Sequence, residues 1–234
     1  MICKIFGGEK ILKRMNDLDF FNEYAATLSD PVIQVTRATS THSFYFVIKR
    51  IFDILFSIFG LIITSPVILI FSILIKLETP GPAFFLQERV GLNGRYFKVI
   101  KLRSMGIDAE KNGAQWAEKN DPRVTKIGAF IRKTRIDEIP QLWNVLVGDM
   151  SLVGPRPERP MFTAKFNEEI PGFIERLTVK PGLTGWAQIN GGYEISPKEK
   201  LALDKYYIRE MGIMLDLKII FKTVLVCITG NGAR

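Results

Sequence analysis

The sequence predicts an α+β chain in which a membrane-embedded helix precedes a small, mainly helical domain that carries a β-hairpin. Residues 54–75 form a charge-free run rich in Ile, Leu and Phe. An Asn-Gly turn signal at 93–94 separates two apolar segments, and apolar residues then recur at helical spacing from Ile139 onward. The chain therefore divides into three parts: an extension (1–46), a membrane-embedded segment (47–80) and a domain (81–234) that ends in amphipathic helices.

Composition limits the chemistry that the domain can perform. The net charge is +8, and residues 1–46 hold five basic and five acidic side chains, so the basic excess lies beyond them. Such a charge favours nucleic acid, phosphorylated metabolites or an anionic membrane surface, without choosing among them. The single histidine, His42, precedes the apolar run. The later residues therefore cannot form a Ser-His-Asp triad or a histidine zinc site, and carboxylates, hydroxyls, Lys and Arg must act.

The extension shows no sustained periodicity, and we expect at most one short helix there. The two cysteines of the whole chain, Cys3 and Cys227, lie near its opposite ends and match no metal or redox spacing. A disulfide framework is not expected, and a reducing compartment fits best.

The apolar run is long enough to cross a hydrocarbon core of roughly 30 Å as a helix. Arg50 and Asp53, just before it, are spaced to share one helical face. Pro66 removes the hydrogen bond to the Ile62 carbonyl, so we expect a kink there, with Ser65 available to bond that carbonyl. The pattern permits a bent spanning helix or a re-entrant helix that returns to its own side. A buried core helix is the alternative, but soluble helices that are apolar all round are uncommon at this length.

Beyond the membrane segment the pattern changes to a hairpin and a basic stretch. Residues 84–86 and 96–100 read as strands on either side of the Asn-Gly turn. Residues 98–135 hold ten Lys or Arg against four acids. For most of these basic residues a solvated surface is the expected role.

Three helices are predicted after the basic stretch. The first has Asp137 as its N-cap and ends at Gly148. The second opens with a capping box at Ser196 and stops near Gly212. The third runs from about Asp216 toward residue 230, and its Lys218 and Lys222 beside apolar residues suit core packing or bilayer contact equally well.

Two features could carry chemistry. Asp137 and Glu138 follow a basic run, where an ionised carboxylate can attack phosphorus and its neighbour can hold a divalent cation. A structural capping role explains the same residues. Pro155, Arg156 and Pro157 would hold a guanidinium rigidly toward a phosphate or a base, or form a plain surface turn. The loops at 180–185 and 190–192 have amides that could line an anion site.

The ordered motifs closely resemble those of the bacterial sugar transferase family, the monotopic polyprenyl-phosphate phosphoglycosyl transferases. The resemblance covers the chain from about Lys49 onward, and so many motifs in order make it specific. The motifs are QERVG (87–91), KLRSM (101–105), RIDEIPQLWN (135–144), GDMS (148–151), GPRP (154–157) and KPGLTG (180–185).

This resemblance implies a re-entrant helix broken at Ser65 and Pro66, with both ends on the cytoplasmic face. It implies that Asp137 attacks the sugar-bearing phosphate of a UDP-sugar and expels UMP, and that Glu138 helps to hold Mg²⁺. A polyprenyl (undecaprenyl) phosphate then takes the phosphosugar from Asp137. The substrate-binding residues implied by the motifs are Arg132, Arg156, Pro155, Pro157, Lys101 and Arg103.

The expected partners are therefore a UDP-sugar, a polyprenyl phosphate lipid and the cytoplasmic (inner) membrane, with no nucleic acid and with a homo-oligomer left open. The product would begin exopolysaccharide, capsule or O-antigen type glycans. One departure from the family pattern is Gly192-Tyr193, where many members have arginine after Asn-Gly. The alternatives are a membrane-tethered basic binding module without catalysis, and a transferase for another nucleotide sugar or carrier.

Overall fold

The computed structural model describes residues 40–111, 121–191 and 195–229, with side chains described from Phe44 to residue 226 within these ranges. The short helix considered for the extension, residues Cys3 and Gly192-Tyr193, and the side chains of His42 and Cys227 lie outside this description, so the expectations that concern them stay predictions. The described chain mixes helices with two small sheets, as the α+β prediction requires.

Helix α1 (Ser40–Glu78) contains the charge-free run and is 39 residues long. The stretch Phe44–Glu78 of this helix is long and apolar enough to cross a membrane. Almost none of the residues in its most apolar part are buried in the protein. The helix begins before the boundary that was predicted between residues 46 and 47. Tyr45, on the extension side of that boundary, is already buried.

Pro66 lies inside α1 without interrupting it. The predicted break is therefore absent from the secondary structure of the described chain. The Ser65 hydroxyl donates to the Ile62 carbonyl at 2.8 Å. The carbonyl that the proline would leave without a partner is thus satisfied locally, as expected, and one missing amide does not end the helix.

The β-hairpin is confirmed. Strands β1 (Phe84–Val90) and β2 (Tyr96–Leu102) pair antiparallel, with Phe84 opposite Leu102 and Val90 opposite Tyr96. A 3₁₀ turn at Leu92–Gly94 joins them, and Asn93 adopts a φ of 54°. Asparagine and glycine tolerate this left-handed conformation, which is why the Asn-Gly pair located the turn correctly.

The segment that carries Asp137 differs from the prediction. Helix α2 (Lys126–Lys133) is followed by a 3₁₀ helix (Ile136–Gln141) and then by α3 (Leu142–Val147). Asp137 lies inside the 3₁₀ helix, so its prediction as an N-cap is wrong; Arg135 occupies the cap with a φ of 56°. The predicted end at Gly148 is confirmed, with a φ of 100° that favours glycine.

A two-stranded parallel sheet, which the sequence analysis did not predict, follows α3. Strand β3 (Ser151–Val153) pairs with β4 (Gly182–Thr184), which lies beyond α4 (Pro160–Glu169) and a 3₁₀ helix (Phe173–Thr178). A Cβ on Gly182 would lie 2.1 Å from the Gly154 amide nitrogen. Only glycine allows the two loops to approach this closely.

The remaining helices are α5 (Trp186–Asn190), α6 (Pro197–Glu210) and α7 (Ile213–Thr229). The capping box at Ser196 is confirmed, and α7 begins one turn before the predicted start. In α7, Ile219 is buried in the core whereas Phe221 is exposed. Core packing is thus confirmed for one face of α7. Lys218 and Lys222 lie 5.5 and 5.7 Å from the centre of the Trp186 ring.

The first half of α1 is fixed to the domain by polar contacts. Arg50 donates to the carbonyls of Val145 and Leu146, both at 2.7 Å. Asp53 accepts from the Ser151 hydroxyl at 3.1 Å and from the Leu152 amide at 2.9 Å. Arg50 and Asp53 do share one helical face, and that face is turned to the end of α3 and the start of β3.

The second half of α1 contacts a different part of the same domain. Ile75 packs in a cluster with Leu102 of β2 and Ile131 of α2. The Glu78 carboxylate accepts from the amide of Lys126 at 2.8 Å, at the beginning of α2. Both ends of α1 therefore bind the domain that holds the candidate site.

Candidate active site

Glu138 lies at the centre of a group of cations drawn from separate elements. Lys101 of β2 places its Nζ 3.5 Å from Glu138 Oε1. Arg156, just after β3, pairs with the same carboxylate through both terminal nitrogens. Arg135 reaches its other oxygen at 3.9 Å. We call Lys101, Arg135, Asp137, Glu138 and Arg156 the Glu138 cluster.

The backbone around Arg135 directs this arrangement. Arg135 is one of two non-glycine residues with positive φ in the described chain, and a left-handed residue reverses the chain between α2 and the 3₁₀ helix. The turn is closed by the Glu138 amide, which donates to the Arg135 carbonyl at 3.2 Å. Strained non-glycine conformations of this kind concentrate at functional sites.

The adjacent carboxylates have pKa values shifted in opposite directions. Burial and the neighbouring Glu138 raise the pKa of Asp137 to about 6, against the pull of Lys101 and Arg132. Burial also acts on Glu138, but attraction to Arg156 and Lys101 outweighs it and holds the pKa of Glu138 well below its usual range. At neutral pH both are ionised, and Asp137 is the more basic of the two.

A second ionic group adjoins the Arg156 segment, by which we mean residues 154–158. Glu158 pairs with Lys200 and lies 3.7 Å from Arg176 and 3.8 Å from Arg89. Arg176 in turn binds Asp204 at 2.7 Å. We call Arg89, Glu158, Arg176, Lys200 and Asp204 the Glu158 cluster. Its residues come from β1, the loop between β3 and α4, the 3₁₀ helix after α4, and α6.

The structure brings most of the predicted site residues together. Lys101, Asp137, Glu138 and Arg156 form one cluster, and Arg132, in the last turn of α2, lies near enough for its charge to lower the pKa of Asp137. Pro155 and Pro157 flank Arg156 and are buried.

Arg103 is not brought to this cluster. Its guanidinium donates to the Thr79 carbonyl at 2.9 Å and to the Pro80 carbonyl, immediately after α1. Lys101 lies near the end of β2 and Arg103 immediately follows the strand, and of these two only Lys101 reaches Glu138. Ser65 and Pro66, the residues of the predicted membrane break, lie inside α1, far from the Glu138 cluster in the sequence, and their role stays a prediction.

Two of the loop amides predicted to line an anion site, those of Gly182 and Gly191, donate to backbone carbonyls. The Gly182 amide donates to the Pro155 carbonyl at 2.9 Å, and the Pro181 carbonyl accepts from the Ser151 amide at 2.8 Å. These groups hold the GPRP segment. Among 190–192, Gly191 donates to the Ala187 carbonyl, and residue 192 is outside the description.

Four charged residues of the Glu158 cluster are not indicated by any sequence pattern as functional: Arg89, Arg176, Glu158 and Asp204. Arg89 was noted only as part of the QERVG motif, and the other three gave no signal, because a lone charge in a sequence does not reveal a buried partner. The partners Arg176 and Asp204 are 28 positions apart.

The described residues contain no group of three or more His, Cys, Asp or Glu side chains that could hold a metal ion by themselves. Asp137 and Glu138 nevertheless offer adjacent hard oxygen ligands. Mg²⁺ is commonly held by one or two carboxylates together with substrate phosphates and water. The site therefore fits a Mg²⁺ that arrives with a phosphorylated ligand, and does not form a complete cage.

The arrangement has the parts that phosphoryl transfer requires. A buried carboxylate that is ionised at neutral pH can act as a nucleophile. Cations from three elements can neutralise phosphate oxygens, because their charges are fixed before a ligand enters. The Arg156 guanidinium offers a planar fork suited to phosphate.

Comparisons with known proteins agree with this chemistry. The sequence model of the bacterial sugar transferase family matches residues 44–230. A Bacillus subtilis (strain 168) protein, provisionally named undecaprenyl-phosphate N-acetylgalactosaminyl 1-phosphate transferase, is 68% identical over 57% of this chain and 74% of its own length. An Aeromonas hydrophila UDP-N-acetylgalactosamine-undecaprenyl-phosphate N-acetylgalactosaminephosphotransferase is 48% identical over 81% of this chain and 46% of its own.

A third relative is the UDP-glucose:undecaprenyl-phosphate glucose-1-phosphate transferase of Escherichia coli (strain K12). It is 44% identical over 76% of this chain and 39% of its own length. The match thus covers less than half of the Aeromonas and E. coli relatives.

Proposed function

Because the chain belongs to the bacterial sugar transferase family, we propose that it transfers a sugar 1-phosphate from a UDP-sugar to undecaprenyl phosphate and releases UMP. The observation that carries this proposal is the Glu138 cluster, in which buried Asp137 lies beside a carboxylate held by Lys101 and Arg156. The names of the reported relatives agree with this reaction class.

The proposed reaction has two displacements at one phosphorus atom. An Asp137 carboxylate oxygen attacks the phosphorus that bears the sugar, the bond between the two phosphates breaks, and UMP leaves with the bridging oxygen. An oxygen of undecaprenyl phosphate then attacks the same phosphorus and expels the Asp137 carboxylate. The product is undecaprenyl diphosphosugar. Each step exchanges one P–O bond for another, so no oxidant or reductant is required.

The electrostatics support separate roles for the two carboxylates. Asp137, with a pKa of about 6, is ionised at pH 7 yet more basic than an ordinary aspartate, which favours nucleophilic attack. The surrounding cations lower the pKa of Glu138 and so keep it ionised, and its carboxylate can in turn orient those cations. Arg156 would bind the donor nucleotide or its phosphates, and Lys101 and Arg132 would neutralise charge on the transferred group.

Glu138 would help to hold Mg²⁺, together with the donor phosphates. When bound, the ion neutralises negative charge on the donor diphosphate. The protein's own part is to place the carboxylates and to supply the surrounding cations.

The contacts of α1 support a re-entrant membrane helix. Residues 50 and 78 of a straight helix would be separated by roughly 42 Å at a rise of about 1.5 Å per residue. That length is about the full thickness of a bilayer with its headgroups. Arg50 and Glu78 nevertheless both bind the same domain. A helix that enters and returns on the cytoplasmic face of the inner membrane accounts for both contacts, and the kink expected at Pro66 would provide the bend.

The topology is testable with single cysteines at Val47 and Leu77, two exposed positions near the two ends of α1, in a chain whose Cys3 and Cys227 are replaced by serine. In intact spheroplasts we expect a membrane-impermeant maleimide to label neither position. In permeabilised cells it should label both. Labelling of one position in intact spheroplasts would establish a spanning helix.

This location places the site close to the lipid headgroups where a carrier presents its phosphate. Exposed apolar side chains of α7, Met214 and Phe221 among them, are available to the same bilayer surface. The product would begin assembly of exopolysaccharide, capsule or O-antigen type glycans. A non-catalytic basic tether would use the charge and the helix but would require no buried carboxylate of raised pKa.

The first experiment is UMP release in detergent with Mg²⁺, undecaprenyl phosphate and a panel of UDP-sugars. UDP-N-acetylgalactosamine leads the panel, because the two reported relatives of higher identity are named for that sugar. Release that depends on both the donor and Asp137 would support the proposal. Arg156→Ala should raise the donor KM, whereas Arg159→Ala, which removes an arginine paired with Glu110, should not. Folded protein that releases no UMP from any donor would contradict the proposal.

A further inference from the structure

The segment that presents Arg156 is tethered at five consecutive residues. Three of the tethers join backbone groups only, all at 2.9 Å, and use Gly154, Pro155 and Glu158. The pairs are Gly154 N–H to Thr184 O, Gly182 N–H to Pro155 O, and Val90 N–H to Glu158 O. The strands β1 and β4 thus hold both ends of the segment.

The two middle tethers come from arginine side chains. Arg176 Nη2 donates to the Arg156 carbonyl at 2.8 Å, and Arg89 Nη1 donates to the Pro157 carbonyl at 2.9 Å. These bonds are charge-assisted and therefore stronger than bonds between neutral groups. The Arg156–Pro157 backbone, from which the Arg156 guanidinium extends to Glu138, is thus held by two further guanidinium groups, one at each carbonyl.

Both supporting arginines are themselves fixed. Arg176 donates through Nε and Nη2 to Asp204 Oδ2, at 3.0 and 2.7 Å. Glu158 lies within ion-pair distance of both Arg176 and Arg89. The side chains of Arg176 and Asp204 are 2% and 1% exposed. Neither arginine therefore has freedom to turn away from its carbonyl.

A contribution to stability alone does not explain such a group. Replacing buried ion pairs by apolar residues of similar volume is often neutral or stabilising, because desolvation offsets their attraction. Orientation of the 154–158 segment does explain why a cluster of five charged side chains is bonded to the backbone beside Arg156.

We propose that Arg176 and Arg89 are positioning residues that fix the Arg156 guanidinium for the donor phosphates. This inference rests on the proposed function, in which Arg156 binds the UDP-sugar. It adds that donor affinity is set partly by two residues that act through the backbone of the segment carrying Arg156 and not through a contact with the donor.

The test uses Arg176→Lys in the full-length protein, with Arg209→Lys as the matched control. Lysine keeps the positive charge beside Glu158 and Asp204 but has one ammonium, which cannot reproduce the fork that binds Asp204 and the Arg156 carbonyl together. Arg209 is an exposed arginine of α6 that pairs with its neighbour Glu210. We expect Arg176→Lys to raise the donor KM about tenfold at saturating undecaprenyl phosphate, through loss of one charge-assisted bond. The carrier KM and the control should change less than about twofold.

A double-variant cycle separates positioning from a general structural effect. In an Arg156→Ala background, Arg176→Lys should leave the donor KM unchanged, because there is no guanidinium left to position. An equal rise of the donor KM in both backgrounds would overturn the inference, as would an unchanged donor KM for Arg176→Lys alone. If Arg176→Lys fails to fold, Arg89→Lys carries the same test with the same outcomes.

The same donor KM values distinguish failure of this inference from failure of the proposed donor-binding role of Arg156. If Arg156→Ala leaves the donor KM unchanged, the donor-binding role of Arg156 is wrong, and the inference falls with it. If Arg156→Ala raises the donor KM but Arg176→Lys and Arg89→Lys do not, the inference alone is overturned.

Discussion

The Glu138 and Glu158 clusters lie on either side of the same short segment and are built from the same kinds of side chain, yet they differ in access and in pairing. In the Glu158 cluster the exposed fractions of Arg176, Asp204 and Glu158 are 2%, 1% and 8%, and those of Arg89 and Lys200 are 16% and 19%. In the Glu138 cluster those of Glu138 and Lys101 are 14% and 17%, and those of Arg156 and Arg135 are 28% and 36%. We call the Glu158 cluster, whose Arg176–Asp204 pair is buried, the sealed cluster, and the Glu138 cluster, which is exposed at Arg156 and Arg135, the open cluster.

The difference separates support from reaction. The sealed cluster joins opposite charges and orients the backbone of the Arg156 segment. The open cluster places the raised pKa of Asp137 next to the lowered pKa of Glu138, so that one carboxylate stays bound by cations while its neighbour stays basic. In the proposed mechanism, burial of charge fixes the Arg156 segment in the first cluster and raises the basicity of the nucleophile in the second.

Loss of activity on changing Asp137 is the largest expected effect. We expect Asp137→Asn to lower the rate of UMP release by at least about 10³-fold, because a neutral amide replaces the nucleophile. Asp108→Asn, at an exposed position, is the matched control and should keep full activity. An Asp137→Asn variant that retains most of its activity would assign the nucleophile elsewhere.

The sealed cluster should respond through stability. We expect Glu158→Gln to lower the free energy of unfolding by about 3 kcal/mol at pH 7, because it leaves Arg176 and Lys200 buried with less compensating charge. Thermal unfolding in detergent measures the effect. Exposed Glu169, in an i,i+4 pair with Lys165, gives the control variant Glu169→Gln, with an expected change under about 0.5 kcal/mol. Equal stability of the two variants would show that the sealed cluster is not supporting the fold.

Asp137→Asn should raise the free energy of unfolding, whereas Glu158→Gln should lower it. An unfolded Asp137 titrates near its ordinary value of 3.8 and the folded residue near 6, so the folded state binds more protons between these values. Stability therefore falls as pH rises from about 4 to 6, and the deficit is complete above 6. We expect the asparagine variant to be more stable than the native protein by up to about 3 kcal/mol at pH 7. The gain should vanish below about pH 4, and a constant gain from pH 4 to 8 would contradict this origin.

The pH dependence of the first displacement gives the smallest effect. With the pKa of Asp137 at about 6, the rate of UMP release should fall about tenfold per pH unit below pH 6 and level off above pH 7. Single-turnover release without undecaprenyl phosphate is the proper measurement, because the phosphate of the carrier also titrates near pH 6. A rate that is constant between pH 5 and 8 would exclude Asp137 as the titrating nucleophile.

Locally coded elements were predicted well from the sequence. The Asn-Gly turn and the Ser196 capping box depend on residues within a few positions of each other, and both are confirmed. The satisfied Ile62 carbonyl follows from a neighbouring serine in the same way. Asp137, Glu138 and Arg156 became candidates through their local residue pattern, and the family resemblance supplied their expected roles.

Features set by distant contacts were predicted poorly. Asp137 was placed at a helix N-cap because capping is a local rule, whereas the left-handed Arg135 and contacts with β2 impose a 3₁₀ helix. The parallel strands β3 and β4 are three residues each and about thirty positions apart, too short to give a periodic signal. Arg103 shares a motif with Lys101, but its side chain is engaged after α1.

The most direct test of the account is mass spectrometry of the intact protein after incubation with Mg²⁺ and the active UDP-sugar in the absence of undecaprenyl phosphate. If Asp137 is the nucleophile, we expect an added mass of one phosphosugar on the peptide that contains Asp137. This added mass should be removed when undecaprenyl phosphate is supplied. Stoichiometric UMP should accompany it. UMP release that requires the carrier from the first turnover, with no covalent adduct on the protein, would contradict a nucleophilic Asp137 and favour direct transfer.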